Sequence, residues 1–119
     1  QPIQIAAAAA LVQGDGFVEE VNEVYRARRD ALVDGLADVG WKMDRPRGTM
    51  FTWAPVPGPY EDLDSLEFSI QLLESAGVAL SPGVGFGPSG EGFVRFALVE
   101  DLGRIEQAVA RIGDGLKRL

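Results

Sequence analysis

The stretch "GEGFVRFALVE", Gly90 to Glu100, decides how the fold is read. It has the alternation of a β-strand, with Val94, Phe96 and Leu98 on one face and Phe93, Arg95 and Ala97 on the other. The first set is a core face. The second set is apolar except for one guanidinium, which predicts a partly buried Arg95 in need of an anionic partner. A strand with one fully apolar face requires helices packed against it, so the reading works outward in search of them.

C-terminal to the strand, Asp101 is placed to cap a helix over about Leu102 to Leu119, with Ile105, Val109, Ile112 and Leu116 at helical spacing. N-terminal to it lies "SPGVGFGPSGEG", five glycines in twelve residues. This loop is no P-loop, because no Gly-Lys-Ser/Thr follows. It is no dinucleotide fingerprint either, because a strand and not a helix comes after it. Several of its positions need positive φ, or its backbone approaches a ligand closely. Before it, Val78 to Leu80 reads as a short strand. A further helix is capped by Asp64 in a capping-box-like pattern with Glu67 and is stopped by Gly77. Its expected buried face is Leu66, Ile70, Leu73 and Ala76, flanked by Phe68 and Leu72. "TMFTWAPV" is a strand with Met50, Thr52 and Ala54 opposite Thr49, Phe51 and Trp53, and Trp41 to Met43 is expected to form another short one.

Two helices come first. Pro2 to Val12 is Ala-rich, with proline in its first turn. After Gly14-Asp15-Gly16, with Asp15 as expected N-cap, a long helix runs from about Phe17 to Val39 on Val18, Val21, Tyr25, Leu32, Leu36 and Val39, and Gly40 closes it. At about 1.5 Å per residue it spans roughly 35 Å, the width of a compact chain of this size. A helix that long tends to bridge to another body. Its "YRARRDA" segment reads as a solvated basic face. The expected fold class is α/β (α+β): a small mixed or antiparallel sheet with helices on one face, preceded by a long helix. The first 15 or so residues are detached from it.

Composition limits the chemistry. The 119 residues suit one domain, and the apolar fraction of 46 % allows a core. A net charge of −7 argues against nucleic-acid or anionic-membrane surfaces. There is no cysteine and no histidine, so disulfides, thiolate chemistry and every Ser-His or Cys-His arrangement are absent. No apolar run reaches the ~20 residues that span a bilayer, and the balance suits a cytoplasmic protein. Glu61, Asp62 and Asp64 lack EF-hand spacing and read as a solvated loop. The two lysines, Lys42 and Lys117, have no setting that would bury an amine. Arg95 is left with two readings: a structural one, as an internal salt bridge with Glu91 as candidate partner or as a snorkelling side chain, or a carboxylate clamp through two parallel hydrogen bonds.

The ordered segments "PIQIAAAAAL", "YRARRDALVDGLADVGW", "PRGTMFTWAPVP", "LLESAGVALSPGVGFGPSGEGFVRFALVE" and "RIEQAVARI" resemble the C-terminal part of class I/II, fold-type I pyridoxal-phosphate-dependent aminotransferases, nearest the alanine and LL-diaminopimelate branch. The resemblance implies an organisation: residues 1–15 a remnant of a large cofactor-binding domain, 16–39 the bridging helix, 40–119 the small C-terminal domain. It implies that Arg95 binds the α-carboxylate of an amino acid or 2-oxo acid, with Gly48, the "GTMF" strand start and the Pro82–Gly87 loop on the substrate side. It implies a cytoplasmic homodimer that uses pyridoxal phosphate as electron sink, with glutamate as one substrate. The chain departs from the family in having no match for the cofactor-binding lysine or the groups around the ring and phosphate. Those are expected upstream of Gln1, and the chain alone is expected to be inactive. The other reading is a free-standing small α/β module that binds a carboxylate ligand without catalysis.

Overall fold

A computed structural model describes all residues, 1–119. Four helices, α1 (Pro2–Gln13), α2 (Asp15–Asp38), α3 (Ser65–Ala76) and α4 (Leu102–Leu116), accompany three strands, β1 (Phe51–Pro55), β2 (Ser81–Pro82) and β3 (Phe93–Ala97). The strands form one antiparallel sheet in the order β1-β3-β2. The expected fold class holds. The apolar face of β3 is the core face: Val94, Phe96 and Leu98 are buried, together with Thr52 and Ala54 of β1.

Trp41 anchors this core. It is 1 % exposed and meets Phe68 and Phe96 edge-on at 5.4 Å, while its indole Nε1–H donates to the Pro55 carbonyl at 2.8 Å. The hydrogen bond is what allows an indole to be buried. Trp41 to Met43 is therefore not the strand expected from its composition. The segment forms no ladder and serves to deliver the indole from the end of α2. That end is a Schellman turn: Gly40 has φ +93°, its N–H donates to Ala37, and the Trp41 N–H reaches back to Leu36.

Other differences have similar physical causes. α2 begins at Asp15, so Asp15 is its first residue and Gly14 the N-cap, with no side-chain capping bond. Val78 to Leu80 is not a strand; the pairing with β3 falls at Ser81 and Pro82. The inward face of α3 is Ser65, Phe68, Ser69, Leu72 and Ala76, while Leu66, Ile70 and Leu73 lie outward, each about half exposed. Apolar residues stand on every side of α3, so periodicity alone does not choose a face. Ser65 and Ser69 lie on the inward face with their hydroxyls satisfied, Ser65 by Glu91 and the Val84 N–H and Ser69 by the Ser65 carbonyl. α4 buries the expected Ile105, Val109, Ile112 and Leu116. It crosses α2 tightly: a methyl on Gly35 would lie 2.8 Å from Val109 Cγ1.

The molecule is elongated, 54 × 31 × 22 Å, with a radius of gyration of 17.1 Å against about 13–14 Å for a compact chain of its length. The excess lies at the N-terminus. α1 buries no residue, and α2 buries only Leu32, Val33 and Leu36. No helix is long and apolar enough to cross a membrane.

Candidate functional site

The sheet has helices on its core face only. On the other face the β1–β3 register sets Trp53 opposite Arg95, and β2 places Ser81 on the far side of Arg95. Arg95 is half-buried, as the alternation predicts. Its guanidinium lies between two rings, Phe51 and Phe86, each with its centroid 4.1 Å from Cζ. Phe86 is held in turn by edge-on contact with Trp53 at 5.4 Å. Aromatic faces on both sides of a guanidinium fix its plane and leave its hydrogen-bonding edge as the reactive direction.

That edge has no partner in the chain. None of the six ion pairs involves Arg95, and its Nε is buried with no acceptor. A buried donor left unmet costs about 1–3 kcal/mol. Arg95 lines an open groove of about 710 Å³ with Lys42, Asp44, Thr49, Phe51 and Trp53. Gly48 lines a neighbouring groove with Tyr25, Arg26, Arg29 and Arg47, and Thr49 is the wall common to both. Thr49 holds φ +73°, a left-handed conformation that a β-branched residue adopts only under constraint.

Glu91, the candidate partner for Arg95, is committed elsewhere. Its carboxylate accepts from the Ser65 N–H at 2.6 Å, the Gly92 N–H at 2.8 Å and the Ser65 hydroxyl at 3.2 Å. The backbone N–H groups of Gly92 and then Ser65 hold its pKa below the ordinary value. The internal salt-bridge reading of Arg95 therefore fails. The Gly-rich loop folds into two 3₁₀ turns, Gly83–Phe86 and Pro88–Gly90. Their backbones touch so closely that a Cβ on Gly83 would lie 1.9 Å from the Gly90 carbonyl oxygen. The first of these turns delivers Phe86 onto Arg95.

The "YRARRDA" run is less solvated than its composition implies. Arg28 donates to the Leu98 carbonyl at 3.1 Å, and Arg29 donates to Asp30 at 2.8 Å and to the Pro46 carbonyl at 3.2 Å. Asp64 caps α3 through the Glu67 N–H at 2.7 Å. Lys42 is exposed, and Lys117 is exposed and paired with Asp114. The aromatic enclosure of Arg95 has no local sequence signal, because Phe51, Phe86 and Arg95 are brought together only by sheet pairing and the loop.

The model for "Aminotransferase class I and II" matches residues 1–112. The chain is 47 % identical over 111 residues to the glutamate-pyruvate aminotransferase AlaC of Escherichia coli (strain K12), covering 93 % of this chain and 27 % of that protein. It is 42 % identical over 119 residues to the LL-diaminopimelate aminotransferase of Desulforudis audaxviator, covering all of this chain and 30 % of that protein. Among solved structures, the alanine aminotransferase from Pyrococcus furiosus superposes with a TM-score of 0.87 at 27 % identity, over 99 % of this chain and 30 % of that one. The chain thus spans less than a third of the length of these relatives.

Proposed function

This chain belongs to the class I and II aminotransferase family, on the branch of the alanine and LL-diaminopimelate enzymes, and from that premise we propose that it supplies the substrate-carboxylate clamp of an amino-acid aminotransferase. The observation that carries the proposal is Arg95: a guanidinium held flat between two rings, on a rigid strand, at a groove, with no anion of its own. A carboxylate bound through two parallel N–H···O bonds meets the donors the fold leaves open. Fixing the carboxylate on a strand fixes the direction of the substrate Cα–H bond, which is the geometric requirement of proton abstraction. Gly48 and Thr49 extend the substrate side from the adjoining groove.

The family's cofactor, pyridoxal phosphate, supplies the electron sink for amino-group exchange. The residues of this chain do not fit its covalent attachment: of the two lysines, neither is buried, and Lys117 is ion-paired. We therefore assign cofactor anchoring to the remainder of a longer protein, in which residues 1–15 belong to a large domain, 16–39 bridge, and 40–119 form the small domain. The exposed apolar side chains Ile3, Leu11, Val12 and Phe17 support that division. In this reading the whole enzyme is a cytoplasmic homodimer that exchanges an amino group between an amino acid and a 2-oxo acid, with glutamate as one partner.

The test is a chimera in which this chain replaces the matching 111 residues of the Escherichia coli AlaC protein. Transamination of pyruvate by glutamate is expected. Arg95→Gln is expected to lower kcat/KM by on the order of 10²–10³, as for loss of a charged bidentate contact. A chimera that folds, binds the cofactor and is indifferent to Arg95→Gln overturns the assignment. Tight calorimetric binding of glutamate or 2-oxoglutarate by the isolated chain would favour the non-catalytic module instead.

A further inference from the structure

We infer that Glu91 is a positioning residue for the carboxylate site, acting at a distance through Phe86; the inference rests on the reading of Arg95 given above. The Phe86 ring forms one wall of the guanidinium clamp, yet Phe86 is 51 % exposed. Burial therefore does little to hold it. Beyond the edge-on contact with Trp53, what holds it is the backbone of its turn, Gly83–Phe86, and that turn is tied to the rest of the molecule at its base.

The tie is polar and local. The Val84 N–H, in the same turn as Phe86, donates to the Ser65 hydroxyl at 3.2 Å. Ser65 is 0 % exposed, at the first position of α3, and its hydroxyl hydrogen goes to Glu91 Oε2 at 3.2 Å. Glu91 Oε1 takes the Ser65 N–H and the Gly92 N–H. One carboxylate thus joins the start of α3 to the residues entering β3, and through the Ser65 hydroxyl to the Phe86 turn. A hydroxyl that accepts from Val84 must send its own hydrogen elsewhere, and Glu91 is the acceptor that orients it. The closely packed Gly83 and Gly90 make the assembly intolerant of slack.

The arrangement has a second consequence. Glu91 stands four residues before Arg95 and is the acidic residue nearest to it in sequence on that side. Anchored at α3, it cannot swing across to pair with Arg95 and occupy the clamp from within. The same three hydrogen bonds that place Phe86 keep the guanidinium edge open for a ligand.

The inference is tested by NMR on the ¹⁵N-labelled chain, reading the Arg95 Nε–Hε resonance, which two flanking rings shift upfield from that of an exposed arginine such as Arg104. Phe86→Leu is expected to move it about half of the way toward the Arg104 position, since the Phe51 ring stays in place, and Glu91→Ala to do likewise. The double variant is expected to move no further than Phe86→Leu alone, because one change acts through the other. Glu91→Gln keeps one oxygen for the two N–H groups and gives a smaller displacement. It serves as the reporter if Glu91→Ala is unfolded. An unmoved resonance in a folded Glu91→Ala or in Glu91→Gln, or additive displacements, overturns the inference. In the chimera, Glu91→Ala is expected to raise KM about threefold to tenfold, the worth of a loosened cation–π wall, with kcat nearly unchanged. If Arg95 is no carboxylate clamp, KM stays put while the NMR result stands, so the two failures are separable.

Discussion

Two arginine environments in this molecule share their chemistry and differ in where the anion is. At the corner between α2 and the segment that follows it, three guanidiniums are matched from within. Arg45 bonds to Asp30 and Asp34, Arg29 to Asp30 and the Pro46 carbonyl, and Arg28 to the Leu98 carbonyl. Burial alone would raise the Asp30 pKa, but hydrogen bonds from Arg29 and Arg45 outweigh it and hold the carboxyl below its ordinary value. On the outer sheet face, Arg95 is packed just as firmly, by rings, and has no acceptor for its Nε and no ion pair. A cation matched inside the chain is part of the scaffold. A cation whose faces are packed and whose donors are left open is free to take an anion from outside the chain, which is the role proposed for Arg95.

Breaking the comparison at Arg95 gives the largest expected effect. Arg95→Lys keeps the charge and loses the planar fork, so kcat/KM of the chimera is expected to fall by on the order of 10². The melting temperature of the chain should change little, since no internal ion pair is removed. A loss of stability comparable to the loss of activity would place Arg95 among the scaffold cations instead.

The converse change gives Arg95 an internal anion. Ser81 lies directly across from it in the β2–β3 register. Ser81→Asp is expected to make a cross-strand ion pair on that face and to compete with the substrate carboxylate, raising KM by about tenfold. Relief of the effect by high salt, as a screened surface pair requires, would sharpen the result. A Ser81→Asp variant with unchanged KM would mean that the ligand approaches from a direction the sheet register does not reach.

How much of this was legible beforehand follows from the range of each interaction. The alternation of β3 and the spacing of α4 are one-dimensional patterns with a single apolar face, and both were read correctly down to Val94, Phe96, Ile105 and Leu116. Arg95 stood out for the same reason, as one cation on an apolar side. Its isolation did not, because that depends on Glu91 being held by Ser65, twenty-six residues away. The three-arginine run in α2 looked solvated because its acceptors, Pro46 and Leu98, are carbonyls supplied by distant loops. On α3, Leu66, Ile70 and Leu73 make as good a stripe in sequence as the buried Phe68, Leu72 and Ala76, so periodicity does not choose the inward face. Trp41 looked like a strand residue by propensity, whereas its indole hydrogen bond and ring contacts determine its place.

At the matched corner the expected effects are on stability alone. Asp30→Ala removes the acceptor shared by Arg29 and Arg45, and the melting temperature is expected to drop by about 2–5 °C, as for a partly exposed ion-pair network. KM in the chimera should not move. A change in KM would show that the corner and the outer face are coupled, through Pro46 and the segment leading to Thr49.

The smallest effect separates the two kinds of carboxylate by acid. Glu91 and Asp30 both titrate below their ordinary values, 4.5 and 3.8, because hydrogen bonds favour their ionised forms in the fold. A depressed carboxylate stabilises fully above its unfolded value, and that contribution is lost as pH falls through the folded value. Stability should therefore decline on acidification, the Glu91 contribution beginning to go below about 4.5 and the Asp30 contribution below about 3.8. Glu91→Gln cannot ionise and is expected to remove the Glu91 part of that decline, and Asp30→Asn the Asp30 part. On this account the Arg95 Nε–Hε resonance follows the protonation of Glu91 and loses that response in Glu91→Gln, while Asp30→Asn leaves its acid response unchanged, because protonation of Glu91 loosens the Phe86 turn while protonation of Asp30 loosens only the corner. A resonance that followed Asp30 would reverse the roles assigned to the two regions.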